Sequence, residues 1–362
     1  MCPFHLLYNS PMLDNIRHFC KLHFTIRANL IYLIEYDETS GHIFKHKKYF
    51  HLIISFYQHI FYICMLFANT VEILRKTYMS GKSKIEICAN SVESAVKAQE
   101  GGAYRVELCA GIPEGGTTPS FGEIRMARQL LQQTKLHVII RPRGGDFLYT
   151  QLEQEIMLHD IKVARQLGAD GVVFGCLTAE GNVDIPAMKK LMNAVGDMNV
   201  TFHRAFDMCR NPKEALEQII ELGCTRILTS GCEANAVTGI PMLKELVEQA
   251  DGRIIIMPGC GVNPTNILQI AEETGAIEFH FSGRSAHESG MIYRNPKVSM
   301  GGTVKIEEYS KDVTSPDIVK AAVAVLAQKD EKDEAIEKKN KEARAKTRKK
   351  KNEFDDDDDD LD

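Results

Sequence analysis

The sequence predicts an α/β fold, a (β/α)8 TIM barrel. Eight short β-type runs recur at the spacing of βα units, and each is followed by a stretch with apolar residues at i, i+3 and i+4. Eight units within about 200 residues is the size at which a parallel sheet closes on itself. The runs are Lys84–Ala89, Tyr104–Cys109, Leu136–Arg141, Gly171–Gly175, Val200–His203, Arg226–Ser230, Arg253–Met257 and Glu278–Ser282. An open, doubly wound sheet is the alternative.

Helix signals agree with the series. Asn90-Ser91 ahead of Val92 and Asn211-Pro212 ahead of Lys213 read as cap and first-turn pairs, while Gly101, Gly168 and Gly223 close the helices before them. The eighth helix comes late, from Ser315-Pro316-Asp317 to about Gln328. Gly283 to Thr314 is therefore a connection far longer than the usual few residues, as lids, subunit contacts and family insertions are.

Composition divides the chain into residues 1–78, 79–330 and 331–362. The first zone holds 15 of the 27 Phe and Tyr residues and 7 of the 12 His, without a sustained period. It reads as an extension outside the fold, with the patterned region starting at Met79. Leu52 to Ala68 is mostly apolar, but at about 17 residues it sits at the lower limit for a span, and it carries Gln58 and His59 at its centre. No stable membrane span and no secretory signal are expected. The third zone is charged, with a basic run at 346–351 followed by Asp355 to Asp360, too polar to bury a core and expected to stay solvated. A nuclear-targeting or partner-binding role for that tail is the sharper alternative. The net charge of -5 argues against nucleic acid as the main partner. Ten Cys without a CxxC pair or a regular framework fit a reducing compartment, so a cytoplasmic location is expected.

Barrel chemistry sits at the C-terminal ends of the strands. There the sequence offers Glu86, Cys88, Glu107, Cys109, Arg141, Arg143, Asp146, His203, Arg204, Asp207, His280, Ser282 and Arg284. Period-two alternation puts Glu86 with Cys88, and Glu107 with Cys109, on one face, and Ile85, Ile87, Val106 and Leu108 on the other. The apolar set should face the helices, which turns two carboxylates and two thiols into the barrel. An unpaired buried carboxylate costs several kcal/mol, so Arg141, Arg143 and Arg284 are expected as counter-charges.

Two thiols on adjacent strands suit a soft, low-coordination metal, for which Cu(I) is the natural candidate in a reducing cell. A strand spacing of roughly 4.8 Å resembles the roughly 4.6 Å of a linear sulfur–metal–sulfur unit. Neighbouring carboxylates should raise a free thiol's pKa, so a thiolate would depend on the metal or on the arginines. The bland alternatives are a Glu–Arg network that only fastens strand ends, and buried cysteines that only fill space.

A second chemistry is legible. Met257-Pro258-Gly259-Cys260-Gly261 after strand seven and Ser282-Gly283-Arg284 after strand eight have the glycines and arginine of a barrel phosphate site. Arg141, Arg143, Gly259, Gly261 and Arg284 would then bind an anion, with Glu86, Glu107, His203 and Asp207 as candidate acid–base groups. Whether a reaction is catalysed stays open at this point. Gly144-Gly145-Asp146-Phe147 shares letters with the GGDEF signature of nucleotide cyclases, but four residues inside a barrel pattern have little specificity.

IEICANSVESAVKAQEGGAYRVELCAG from Ile85, RPRGGDFLY from Arg141, VTFHRAFDM from Val200, RIIIMPGCGV from Arg253 and EFHFSGRS from Glu278 resemble the CutC copper-homeostasis family in order and spacing, over about residues 84 to 300. SGMIYRNPKVSMG from Ser289 resembles animal members. The resemblance implies a TIM barrel, a cytosolic home with nuclear presence in animals, homo-oligomers and a role in copper handling. It also implies Cys88 and Cys109 as Cu(I) ligands. Cys260 departs from the family, standing where Gly is usual. Neither residues 1–78 nor the acidic tail is covered.

Overall fold

A computed structural model describes residues 82–300 and 307–355. The expectations for residues 1–78, including the Leu52 to Ala68 stretch, and for 356–362 lie outside those residues. Among the described residues no helix is long and apolar enough to cross a membrane.

Strands β1 (Lys84–Ala89), β2 (Arg105–Leu108), β3 (Lys135–Ile139), β4 (Gly171–Phe174), β5 (Asn199–Phe202), β6 (Arg226–Thr229), β7 (Ile255–Pro258) and β8 (Glu278–Phe281) alternate with helices α1 (Val92–Glu100), α2 (Phe121–Leu130), α3 (Gln151–Gln166), α4 (Ile185–Val195), α5 (Pro212–Glu221), α6 (Ile240–Ala250) and α7 (Ile267–Thr274). All ladders are parallel, in the order β7-β6-β5-β4-β3-β2-β1-β8. β7 lies against β8 across the remaining seam, so the sheet is a nearly closed barrel. The expected caps form: Ser91 accepts a hydrogen bond from the Ser94 amide, and Asn211, ahead of Pro212, accepts from the Glu214 amide.

Alternation along the strands separates two interiors. Ile85, Ile87, Val106 and Leu108 are buried in the main core between sheet and helices, as expected. The opposite faces meet across the barrel. Arg105 of β2 donates to Glu278 of β8 at 2.6 Å and reaches the Met257 sulfur of β7 at 3.4 Å. β2 and β7 are not sheet neighbours, so these contacts run through the barrel interior. Arg226 of β6 donates to Glu278 at 3.0 Å and to the Thr201 hydroxyl of β5 at 3.2 Å. Arg105 also donates through Nε to Glu86 of β1. The barrel floor is thus an ion network of two arginines and two glutamates, each at most 4% exposed. At Gly171 a side chain cannot fit, because a Cβ there would lie 2.4 Å from the His137 ring.

After β8 the long connection folds into an antiparallel hairpin, β9 (Arg284–Glu288) and β10 (Ser310–Thr314). It is fastened over the start of α1: Asn90 donates to the Asp312 carbonyl at 2.9 Å, and the Thr314 amide donates to the Ser94 hydroxyl at 3.1 Å. Helix α8 (Pro316–Asp355) buries Val319, Ala322 and Leu326, and Asp330 accepts two 2.7 Å bonds from Ser83 at the foot of β1. The expected end near Gln328 and the solvated tail after it are corrected in one respect: the helix continues through the charged segment. Residues 331–336 are exposed. Extending a nucleated helix adds one hydrogen bond per residue fixed, which good helix formers such as Glu, Lys and Ala sustain without a buried face.

Removing one member of a buried ion group leaves its partners' charge uncompensated, at about 3–5 kcal/mol. Glu278→Gln, which strips the shared counter-charge from Arg105 and Arg226, is therefore expected to lower unfolding stability by about that amount. Urea unfolding checks this; a midpoint within error of the parent would refute the structural role of the network.

Candidate functional site

Above the ion floor, β1, β2 and β8 bring their upper inward side chains together. Cys88 is the register partner of Glu107, and Cys109 stands two residues further along the second strand. The Cys88 and Cys109 sulfurs are 3.4 Å apart, and Cys109 Sγ is 3.9 Å from Glu107 Oε2. Ligand atoms of Cys88, Glu107 and Cys109 all lie within 4.8 Å of one another, a grouping able to hold a metal ion. Cys109 packs with Ile139 and Val173 inside the barrel, with Cys88 and Ile112 against them.

His280 links this cluster to the floor. Its Nδ1 lies 2.7 Å from Glu86 Oε1 and its Nε2 lies 3.7 Å from Glu107 Oε2. From β9, Arg284 places Nη2 at 3.8 Å from Cys88 Sγ, while its Nε is buried without a partner. Thus the single carboxylate of Glu86 serves Arg105 with one oxygen and His280 with the other.

The electrostatics separate like groups. Burial pushes both carboxylates up, but at Glu86 the charges of Arg105 and His280 overcome it and hold the group well below the usual carboxylate range. Glu107 has no such arginine, and burial raises it to about 8, leaving it mostly protonated at neutral pH. The two thiols split likewise. A hydrogen bond from Cys109 is the largest influence holding Cys88 well below an ordinary thiol, against burial and with help from His280 and Arg284. The same bond, with burial, pushes Cys109 well up. Burial would strip the charge from His280, yet the neighbouring Cys88, Glu86 and Glu107 hold its pKa well above the ordinary imidazole value. Elsewhere burial pushes the thiols of Cys176, Cys209 and Cys224 up to about 12 and that of Cys232 to about 11.

Several sequence expectations need revision here. The counter-charges are Arg105 and His280, not Arg141 and Arg143. Arg141 donates to the carbonyls of Glu114, Gly116 and Gly145, and Arg143 to Glu153 and Asp146, so both fasten the loops after β2 and β3. Arg284 alone of the three approaches the cluster. The thiols lie closer than a strand spacing, because side chains on diagonal positions lean together; they must part to admit an ion between them. Cys88 draws its low pKa first from its partner thiol, with His280 and Arg284 adding to it against burial.

The remaining candidates lie apart. His203 packs against Phe147 with the rings tilted and their centroids 4.8 Å apart, accepts the Ala205 amide on Nδ1 and keeps a buried Nε2 without a partner. Asp207 is not engaged with it: its carboxylate takes the Ser230 and Cys232 amides, the Thr229 hydroxyl and Arg204. Gly259 borders His280, where a Cβ would sit 3.5 Å from the ring, whereas Gly261 turns toward Asn235 of the preceding loop. Arg105, Arg226 and Glu278 were passed over in the sequence because they stand at strand beginnings. The parity that selects Glu107 and His280 would have found Arg105 and Glu278.

Against known proteins, the CutC family model matches residues 83–285. A CutC family protein of Bacteroides fragilis is 66% identical over 265 residues, covering 73% of this chain and 96% of that protein. The human copper homeostasis protein cutC homolog is 49% identical over 215 residues, covering 59% of this chain and 78% of its own length. Among solved structures, a Streptococcus agalactiae CutC superposes with a TM-score of 0.54 at 38% identity, covering 55% of this chain and 98% of the other. The bacterial relative is the more similar of the first two, so the animal likeness of the stretch from Ser289 does not extend to the chain as a whole.

Burial, with the charge of Arg141, depresses His203 to about 3. Between the unfolded value of about 6.5 and that folded value, the unfolded chain binds a proton the folded chain refuses, so stability falls as pH falls. The loss from this one group is about 2 kcal/mol at pH 5. In His203→Asn the slope of unfolding free energy between pH 6.5 and 5 should be shallower by about one proton; identical slopes for the two chains would rule the imidazole out as the titrating group.

Proposed function

The chain belongs to the CutC family, and on that premise we propose that it is a copper homeostasis protein of the cytosol that takes Cu(I) as cargo on Cys88 and Cys109. The observation that carries the reading is the pair of sulfurs 3.4 Å apart at the barrel mouth, one partly exposed and one buried. Soft thiolates are the donors that select a soft monovalent ion over magnesium or calcium. The donor set fits: both thiols are free, Cys88 is already inclined to the thiolate, and Arg284 and His280 offset the negative charge that two thiolates would bring. Glu107, mostly protonated, is a weak third donor, and the metal supplies no chemistry here beyond being held.

A homo-oligomer belongs to the same reading, supported by the apolar side chains that the connection between β9 and β10 leaves in solvent: Ile292 is 100% exposed, Met300 83% and Tyr293 75%. Nuclear presence is part of the proposal only through the relatives' family. The second reading, an enzyme acting on a small anionic or phosphorylated substrate, draws on the buried Nε atoms of Arg284 and Arg141, each without a partner. Arg141, whose Nε is likewise buried without a partner, stays in that site with Arg284 and Gly259, while Arg143 is tied to Glu153 and Asp146.

Anaerobic titration with Cu(I) against a competing chelator tests the first reading. The parent should bind one equivalent, Glu107→Gln should retain most of it, and the Cys88→Ala, Cys109→Ala double variant should lose it. Undiminished stoichiometric binding by the double variant would reject the site. Equilibrium dialysis with phosphate tests the second; retention of phosphate by the parent but not by Arg284→Met supports it.

A further inference from the structure

We propose that Arg141 and His203 form a subsite for the carboxylate of a small monocarboxylic acid at the barrel mouth, covered by the ring of Phe147. The inference deepens the anion-binding reading, on which it rests through Arg141, by naming the chemical class of the anion. Register brings the two side chains to one level. Ile139, Val173 and Thr201 are neighbours on β3, β4 and β5. All three turn inward, the first two packing with Cys109 and the third accepting from Arg226. Two residues further along stand Arg141, Gly175 and His203, so parity turns them inward as well, in the next layer up. Arg141 and His203 therefore flank Gly175, with their backbones about 10 Å apart, twice the strand spacing. Gly175 has to be bare, because a Cβ there would lie 3.0 Å from His203 Nδ1. The Phe147 ring packs against both flanking groups, its centroid 5.1 Å from the Arg141 guanidinium carbon and 4.8 Å from the centre of the His203 ring.

The donors select the ligand. Arg141 is 5% exposed, yet its guanidinium bonds only the carbonyls of Glu114, Gly116 and Gly145, and no carboxylate pairs with it among the described residues. Its Nε is buried without a partner. A buried charge without a counter-ion is costly, and an incoming anion relieves that cost. His203 adds a neutral donor. Its Nδ1 accepts the Ala205 amide, so in the uncharged ring that burial enforces the hydrogen is on Nε2, which is also buried without a partner. One positive charge and two N–H donors match one carboxylate, whose two oxygens accept one bond each. A doubly charged phosphate would leave one charge unmatched. Both nitrogens are sealed, so the ligand enters as the half-buried Phe147 moves aside.

Full-length chain is titrated with isotope-labelled acetate at neutral pH and followed by broadening of the acetate resonance, with inorganic phosphate titrated in parallel. The parent should bind acetate saturably. Arg141→Lys keeps the charge but not Nε, and His203→Asn keeps an acceptor for the Ala205 amide but not Nε2; each should weaken binding at least about tenfold. Circular dichroism checks folding, and if Arg141→Lys unfolds, His203→Asn decides alone. Arg284→Met should change acetate affinity less than about twofold, and Phe147→Ala should exchange acetate faster than the parent. Absence of saturable acetate binding, undiminished affinity in the folded variants, phosphate bound more tightly than acetate at the same site, or slower exchange in Phe147→Ala would each overturn the proposal. Phosphate binding that depends on Arg284, without acetate binding, would sink this subsite and leave the anion reading standing. Acetate binding without phosphate binding would leave the subsite standing and remove the phosphate.

Discussion

Charge inside the barrel is the constraint on which the rest of the structure depends. A (β/α)8 sheet ordinarily fills its interior with branched apolar residues, whereas here Glu86, Arg105, Arg226 and Glu278 stand there, each nearly sealed from solvent. Such groups persist only when every charge is matched and hydrogen-bonded. The matching is done by sharing: Glu278 accepts from both arginines, and Arg105 donates to both glutamates. Five strands are tied through the centre in this way, since β1, β2, β5, β6 and β8 all contribute a partner.

Glu86 is the joint between that floor and the cluster above it. One oxygen completes the floor and the other holds His280, so the ring beside the cluster has its orientation set by a structural network rather than by a loop. Glu107, two residues along β2 from Arg105 and on the same face, has no arginine of its own. The difference in protonation between the two carboxylates therefore follows from one neighbour, and it leaves the thiol cluster with a neutral acid beside it instead of a second anion.

The fold was legible because the helix and strand periods are so different. Eight short β-type runs, interleaved with stretches of period 3.6, leave little else for the chain to form, and the eight observed strands each overlap an expected run. The inward face of β1 and β2 was legible for the same reason, and with it Cys88 and Glu107. Pairing was not. Parity says which side a residue faces but not its height in the barrel, and Arg141, at the strand's end, is too high to meet Glu86. Its guanidinium finds loop carbonyls instead, while Arg105, at the start of its strand, meets the glutamates. The sequence pattern around β8 marked His280 as polar and inward without revealing that one ring would lie between the carboxylates of Glu86 and Glu107.

The extension of α8 marks a second limit of reading composition. A segment with so few apolar residues contributes little burial, which is why it is expected to be solvated, and residues 331–336 are indeed exposed. Solvation does not forbid helix, however. The buried turn of Val319, Ala322 and Leu326 supplies the nucleus, and Asp330 closes it onto Ser83. Beyond that anchor each added residue needs only its own backbone bond and side chains that tolerate the helix, such as the Lys329–Asp333 pair at 2.7 Å. The anchored part of the helix is thus joined to the first barrel strand, the strand that carries both Glu86 and Cys88. The charged part beyond Asp330 has no such tie among the described residues, so changes there should leave the geometry at the mouth as it is.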